Sequence, residues 1–263
     1  MPRIAVNGID LYFEREGQGP PLLALAGMVS DSASWGPLVP GLAARFDLIR
    51  PDNRCTGRTR PMPCATGIDA MIDDCLALLD ALCIDRAHLL GHSMGAAVAL
   101  RLAMRRPDRV AAVVAMGAAT QPNPLATAVF REVAALAGDT QDPGRFFRLL
   151  FPWLFAPAFF ARPEAVHEAA AAALAYPHRQ PLEGLQAQLA LLDTPLPPLD
   201  LDAIGMPIYA IGGAEDRLVL PHSLRAAFDG KAEGLTMLAD AGHSMHWDQP
   251  EAALQAIVAF LRG

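Results

Sequence analysis

Ser93 lies at the centre of Gly91-His92-Ser93-Met94-Gly95. A G-x-S-x-G pattern is short, and it gains meaning where a strand leads into it and a helix leaves it. Both flanks fit. Ala87 to Leu90 reads as a buried strand, and a proline-free, apolar-rich helical pattern follows as far as Pro107. So sharp a turn strains Ser93 and admits only small residues two places to either side, which Gly91 and Gly95 supply. It aims the hydroxyl outward at a helix N-terminus. Unpaired N–H groups and the positive end of the helix dipole there would stabilise a developing oxyanion.

A serine hydroxyl is a weak nucleophile at neutral pH. It needs a base within hydrogen-bond reach, and the base needs an orienting partner. Seven histidines are available. His88 is inside the strand before Ser93, and His92 adjoins Ser93, so its side chain leaves the turn another way. His167 and His178 fall in a helical middle segment, and His222 opens a helix after Pro221. His243, in Asp240-Ala241-Gly242-His243 just past the last expected strand, is the preferred base; His246 is the runner-up, better read as a pocket wall or polar partner. For the acid, Asp216 follows the expected strand 206–212 by four residues. Asp240 and Asp248 are alternatives, and Glu215 reads as a solvated neighbour. The loop after Met116, Gly117-Ala118-Ala119-Thr120, holds no carboxylate, which strengthens Asp216. Oxyanion donors are expected at the backbone N–H groups of Met94, directly after the nucleophile, and Met28, after Gly27.

The elements that must position these groups alternate. Strands are expected at 3–15 (two, joined by the hairpin signal Asn7-Gly8), 22–26, 46–50, 87–91, 110–116, 206–212 and 235–239. Helices are expected from Ser34 to Phe46, over 67–82, after Ser93, and from Pro250 to Leu261. This rhythm predicts an α/β fold with a mostly parallel, doubly wound sheet, whose ligands bind beyond the C-terminal strand ends. The rhythm stops between about 120 and 202. That stretch shows only helical pattern, broken at Pro122, Pro124, Pro143, Pro152, Pro157, Pro163, Pro177, Pro181 and Pro195. The expectation is a core of residues 1–119 and 203–263, with 120–202 inserted as a helical cap over the active edge.

The whole chain narrows the partners. It has 263 residues, 52% of them hydrophobic, and a formal net charge of −7. With no Lys/Arg cluster, nucleic acid is not an expected partner. No signal-peptide pattern opens the chain and no apolar run is long enough to span a bilayer, so a cytoplasmic protein with no membrane partner is expected. Cys55, Cys64, Cys75 and Cys83 show neither C-x-x-C nor zinc spacing and read as free thiols. The sequence does not indicate the oligomeric state.

With these residues in view, the chain resembles the α/β-hydrolase family nearly end to end. Gly91-His92-Ser93-Met94-Gly95 matches the nucleophile elbow, Gly212-x-x-x-Asp216 the acid loop, and Gly242-His243 with Pro250-Glu251 the histidine loop. The order Ser93, Asp216, His243 is the family's. Two departures stand out. Ala26-Gly27 replaces the common His-Gly before the oxyanion residue. In Asp52-Asn53-Arg54-Cys55-Thr56-Gly57-Arg58-Thr59, Cys55 stands where a glycine is usual. This stretch and the cap composition resemble carboxylesterases and enol-lactonases.

The reading that follows is acyl transfer to water without a metal or organic cofactor. The expected substrate is a small or medium, mainly uncharged ester or lactone. Phe130, Phe151, Trp153, Phe155, Phe159, Leu218, Met245 and His246 are candidate pocket residues, though most of the aromatics are expected in the cap's own core. The base must be neutral, so activity should fall on the acid side, near the ~6.5 of an ordinary imidazole. Carbon–carbon and aminoacrylate-type hydrolases share the triad and remain alternatives, as does a slow small-ligand binding protein on the same scaffold.

Overall fold

The computed structural model describes residues 2–121, 123–194 and 196–262; the breaks expected at Pro122 and Pro195 lie outside them. Among the described residues, eight strands form one sheet: β1 (Arg3–Val6), β2 (Ile9–Glu16), β3 (Pro21–Leu25), β4 (Asp47–Pro51), β5 (Ala87–His92), β6 (Val110–Met116), β7 (Ile208–Gly213) and β8 (Gly234–Leu238). Their spatial order is β1-β2-β4-β3-β5-β6-β7-β8. The β1–β2 and β2–β4 pairs are antiparallel, and every pair from β4–β3 to β7–β8 is parallel. The β1–β2 hairpin turns on Asn7 and Gly8, both at positive φ, the conformation a two-residue type I′ turn requires.

The strands are apolar on both faces because both are covered. Along β3, Leu23 and Leu25 face one core with Leu89, Val113 and Ala210. That core is closed by α2 (Ile68–Ala81), α3 (Met94–Arg105) and α8 (Pro221–Phe228). Leu22 and Ala24 face the other with Leu90, Val114 and Ile211, closed by α1 (Val39–Ala43) and α10 (Pro250–Leu261). Successive residues of one strand thus divide between two helix layers, as a period of two demands.

Two expectations need correction. The single helix from Ser34 to Phe46 is a 3₁₀ turn, Ser32–Trp35, followed by the separate five-residue α1. Pro37 has no N–H to return to Ala33, so the chain closes three-residue bonds instead, Gly36 N–H to Ala33 O (3.0 Å) and Leu38 N–H to Trp35 O (2.8 Å). The break expected at Pro152 also does not fall there. Pro152 lies inside a helix, Arg145–Leu154, whose end follows two residues later.

Between β6 and β7 the chain is helical: α4 (Pro124–Ala134), α5 (Arg145–Leu154), α6 (Ala165–Ala175) and α7 (Leu182–Leu189), with 3₁₀ turns between and after them. Pro124 sits in the first turn of α4 and Pro181 at the N-cap of α7, positions where the missing N–H costs nothing. Val129, Phe130, Val133, Phe146, Leu150 and Leu185 form a third apolar cluster, which takes in Leu218 from the loop after β7 and packs on Met28 and Val29. The helical segment therefore rests on the loops leaving the C-terminal strand ends. A short turn of helix, α9 (Met245–Asp248), precedes α10.

Candidate active site

Ser93 has φ 53° and ψ −115°, between the end of β5 and the first turn of α3. A non-glycine residue at such angles is strained by roughly 1–3 kcal/mol, and the surroundings enforce it. The Ser93 N–H donates to Met116 O at 2.9 Å, while its carbonyl accepts from Ala96 and Ala97 in α3. The flanking glycines are required by close approach. A Cβ on Gly91 would meet the backbone of Gly95 and Ala96, and one on Gly95 would overlap the carbonyls of Leu25 and Ala26. The elbow is thus held between two strands and its own helix.

The loop after β7 brings Asp216, and the loop after β8 brings His243. Both side chains are buried, with Asp216 3% and His243 2% exposed. His243 Nδ1–H donates to Asp216 Oδ2 at 2.8 Å. The other oxygen, Oδ1, accepts from the N–H groups of Leu218 (2.8 Å) and Val219 (2.9 Å), which fixes the plane of the carboxylate. The Cε1 edge of the imidazole lies against Gly117, where a Cβ would stand only 3.1 Å from it. His92 pairs with Met116 across β5 and β6, so Gly117 is the residue abreast of Ser93. The glycine at 117 leaves room for the imidazole beside the serine.

The loop after β3 completes the ring of strand ends. A Cβ on Gly27 would come within 3.3 Å of Ser93 Cβ, so this loop runs directly over Ser93. Met28 follows Gly27, and Met94 is the first residue of α3, whose N–H has no carbonyl within the helix to bond. The loop that carries Gly242 and His243 packs on the end of α5. Ser244 N–H donates to Leu154 O (2.7 Å), and the Asp248 carboxylate accepts from both Gly242 N–H (2.8 Å) and Ala156 N–H (3.0 Å). Asp248, weighed in the sequence as an alternative acid, therefore ties this loop to the helical segment and does not approach the His243 imidazole through a hydrogen bond. Glu215 is exposed.

His92 leaves the turn toward the histidine loop. Its Nε2–H donates to the carbonyl of His243 at 2.8 Å, and its ring lies 4.9 Å from that of His243 and 4.6 Å from that of His246. A carbonyl can only accept, so His92 carries its proton on Nε2. Burial, then the neighbouring His243, pushes the His92 pKa down to about 3. His246 is buried between Trp35 and His92 and is likewise held well below the usual imidazole range, first by burial. Both are neutral beside the His243 ring. Met245 is fully buried in the core under α10.

Of the aromatic pocket candidates, Phe130 belongs to the third cluster with Trp153 against it. Phe151, Phe155 and Phe159 pack on one another, with centroids 4.5–5.8 Å apart. The arginines near this edge are already engaged. Arg54 forms two 2.7 Å bonds to Asp74. Arg58 binds Asp52 and Glu14 and lies 3.7 Å over the Tyr12 ring, and Arg60 donates to the carbonyls of Gly57 and Thr59.

A parallel sheet with a strained serine elbow at one strand end, and an acid and a histidine on the loops of two others, is the arrangement of an α/β hydrolase. The chain matches the alpha/beta hydrolase family over residues 22–256 and belongs to it. It is 31% identical to the "Putative carbamate hydrolase RutD" of Caulobacter sp. (strain K31) over 96% of both chains. The Caulobacter vibrioides (strain NA1000 / CB15N) protein of the same name is 28% identical over the whole of both. Among solved structures, a thermophilic esterase from Thermogutta terrifontis shares 27% identity and a TM-score of 0.83, covering 100% of this chain and 98% of that one.

Proposed function

We propose that the chain is a serine hydrolase that cleaves a small or medium, mainly uncharged carboxylic ester or lactone through an acyl-enzyme on Ser93. The observation that carries this reading is the 2.8 Å His243–Asp216 bond on the same sheet edge as the strained Ser93 turn. In this reading His243 takes the serine proton as Ser93 attacks the carbonyl. Asp216 holds the imidazole by Nδ1, leaving Nε2 for proton transfer and favouring the imidazolium that forms. The N–H groups of Met28 and Met94 receive the oxyanion. His243 then protonates the leaving group and activates water, and no step calls for a metal or cofactor.

Residues 120–202 act as the cap over this site, on a core of 1–119 and 203–263. The engagement of Arg54, Arg58 and Arg60 with carboxylates, carbonyls and an aromatic ring supports an uncharged small molecule over an anion. The names carried by the Caulobacter relatives support a second reading, a carbamate carbonyl in place of the ester, which the same groups would handle.

One panel separates these: chromogenic esters from acetate to decanoate, a lactone and an N-unsubstituted carbamate, on the wild type and Ser93→Ala. Loss of at least about 10⁴-fold in kcat in the variant is expected. The preferred acyl group then sizes the pocket, and a carbamate hydrolysed faster than every ester selects the second reading. Turnover that survives in Ser93→Ala would remove Ser93 as nucleophile.

A further inference from the structure

The loop after β3 turns at Met28 and Val29, which pack on the third apolar cluster. Ala26 brings no polar side chain, and Val29, two residues on, sits at φ 63°. For a β-branched residue the left-handed region is a marked outlier, so something outside the loop must hold it. Two side chains do. Asn53 Nδ2–H donates to Ala26 O at 3.0 Å from the loop after β4. Gln188 Oε1 accepts the Val29 N–H at 3.2 Å from α7. Gln188 is 0% exposed, on the apolar face that also carries Leu185, and its Nε2 has no hydrogen-bond partner among the described residues. Burying a glutamine with half its amide unsatisfied is unfavourable, so its retained bond to Val29 is the feature to explain.

We propose that Gln188 is a positioning residue for the reaction: it locks the left-handed turn at Val29 and thereby aims the Met28 N–H at the oxyanion. The helical segment would then set the oxyanion geometry, besides covering the site. This rests on the Ser93 reading above.

The test uses the full chain. Gln188→Met keeps the volume and removes the acceptor. Its kcat should fall about 10- to 100-fold with KM changed less than threefold, because a transition-state donor is misaimed while substrate binding is kept. Affinity for an alkyl boronic acid, whose serine adduct presents the same oxyanion, should fall in step. Gln188→Glu, the same size and able to accept from Val29, guards against a folding failure. With the acceptor kept, its kcat should stay within about threefold of wild type at low pH, where the carboxyl is protonated. A Gln188→Met enzyme with unchanged kcat, or a raised KM alone, overturns the proposal, as does a Gln188→Glu enzyme that loses as much kcat at low pH as Gln188→Met. Labelling of Ser93 by a fluorophosphonate keeps the two readings apart. If wild type is not labelled the Ser93 reading fails, whereas labelling with no Gln188 effect sinks only the present one.

A separate observation concerns Cys55. It holds φ 65°, where a side chain is costly, and its Sγ lies 2.9 Å from Cys64 Sγ and 3.2 Å from Cys64 O. The Cys55 carbonyl accepts from Gln180 Nε2 at 2.6 Å and lies against Gly184, so this turn is the seat of α7. We infer that Cys55 and Cys64 form a reversible disulfide when a peroxide is supplied. The two thiols and one hydrogen peroxide give the disulfide and two waters, two electrons passing from sulfur to the peroxide oxygens. Burial, then the bond to Cys55, pushes the Cys64 thiol up to about 12, so oxidation should quicken as pH rises.

In a Cys83→Ser background, which removes the exposed thiol, peroxide should reduce the denatured thiol count from three to one. Peptide mapping should give a Cys55–Cys64 link that dithiothreitol reverses, and Tm should rise by several degrees. An unchanged thiol count at pH 9, or sulfinic acid without a link, would refute the inference.

Discussion

The sheet edge and the helical segment reach the same site by different means. At the edge, position is set by strand register. Ser93, Gly117 and the Asp216 and His243 loops leave β5, β6, β7 and β8 side by side, and close backbone contact at Gly91 and Gly95 leaves the elbow one conformation. The helical segment instead touches the edge through an apolar cluster around Leu218, Met28 and Val29 and through single polar contacts. Gln188 reaches Val29, Tyr176 reaches Asp31, Gln180 reaches Cys55, and Leu154 and Ala156 reach the histidine loop. A register is fixed by many mutually supporting bonds, whereas a polar tether can be lost alone. Edge variants should therefore abolish chemistry, and tether variants should tune it.

The sharpest form of that contrast after Ser93 itself is Asp216→Asn. Oδ1 can still accept from Leu218 and Val219, so the loop should keep its shape. The amide would then face His243 Nδ1 with a donor and force the wrong tautomer. A loss of about 10³- to 10⁴-fold in kcat with little change in Tm is expected. An Asn variant within tenfold of wild type would point to Asp240 or Asp248 as the working acid, and would break the view that β7 and β8 set the pair.

The same division decides what could be read from the sequence. Ser93, Asp216 and His243 were legible because each follows a strand, and strand ends in a parallel sheet converge by topology alone. Gln188 was not. It gave only a weak signal, a glutamine three residues after Leu185 on a helix's apolar face, and its partner is 159 positions away. For His92, adjacency to Ser93 says only that its side chain leaves the turn another way; that its ring packs against that of His243 could not be read. The helix expected over Ser34–Phe46 failed on Pro37, a local rule outweighed by an apolar pattern that spans both pieces. Cys55 gave no signal by spacing, since Cys64 meets it across a turn that no zinc or C-x-x-C pattern describes.

An effect of intermediate size should come from the neutral histidines under the edge. In the unfolded chain an imidazole gains its proton below about pH 6.5. In the fold His92 stays neutral to about 3, and His246 is shifted the same way. Below 6.5 the unfolded state therefore binds more protons, and stability falls as pH falls, by up to about 1.4 kcal/mol per pH unit for each histidine. The groups facing His92 are His243, His246 and Asp216. Urea midpoints at pH 7 and pH 5 should show the decline, and His92→Asn should make it shallower. An equal decline in the variant would place the acid sensitivity elsewhere.

The smallest effect should come from the tether of α6's end to the loop after β3. Tyr176 O–H donates to Asp31 Oδ2 at 2.8 Å, while Asp31 Oδ1 caps the following turn at Ala33 N–H. Burial, then the nearby Asp52, raises the Asp31 pKa, and burial raises that of Tyr176. Tyr176→Phe removes one donor and keeps the ring, and Asp31 retains its backbone partner. The cost should be about 1 kcal/mol in stability, with kcat within about threefold. If segment and edge are independent, KM is unchanged. If the helical segment settles on the edge through its tethers acting together, KM rises, and the double variant Tyr176→Phe/Gln188→Met departs from the product of the single effects. That coupling, measured as a double-mutant cycle on kcat/KM, tests whether the segment acts on the site as one body or contact by contact.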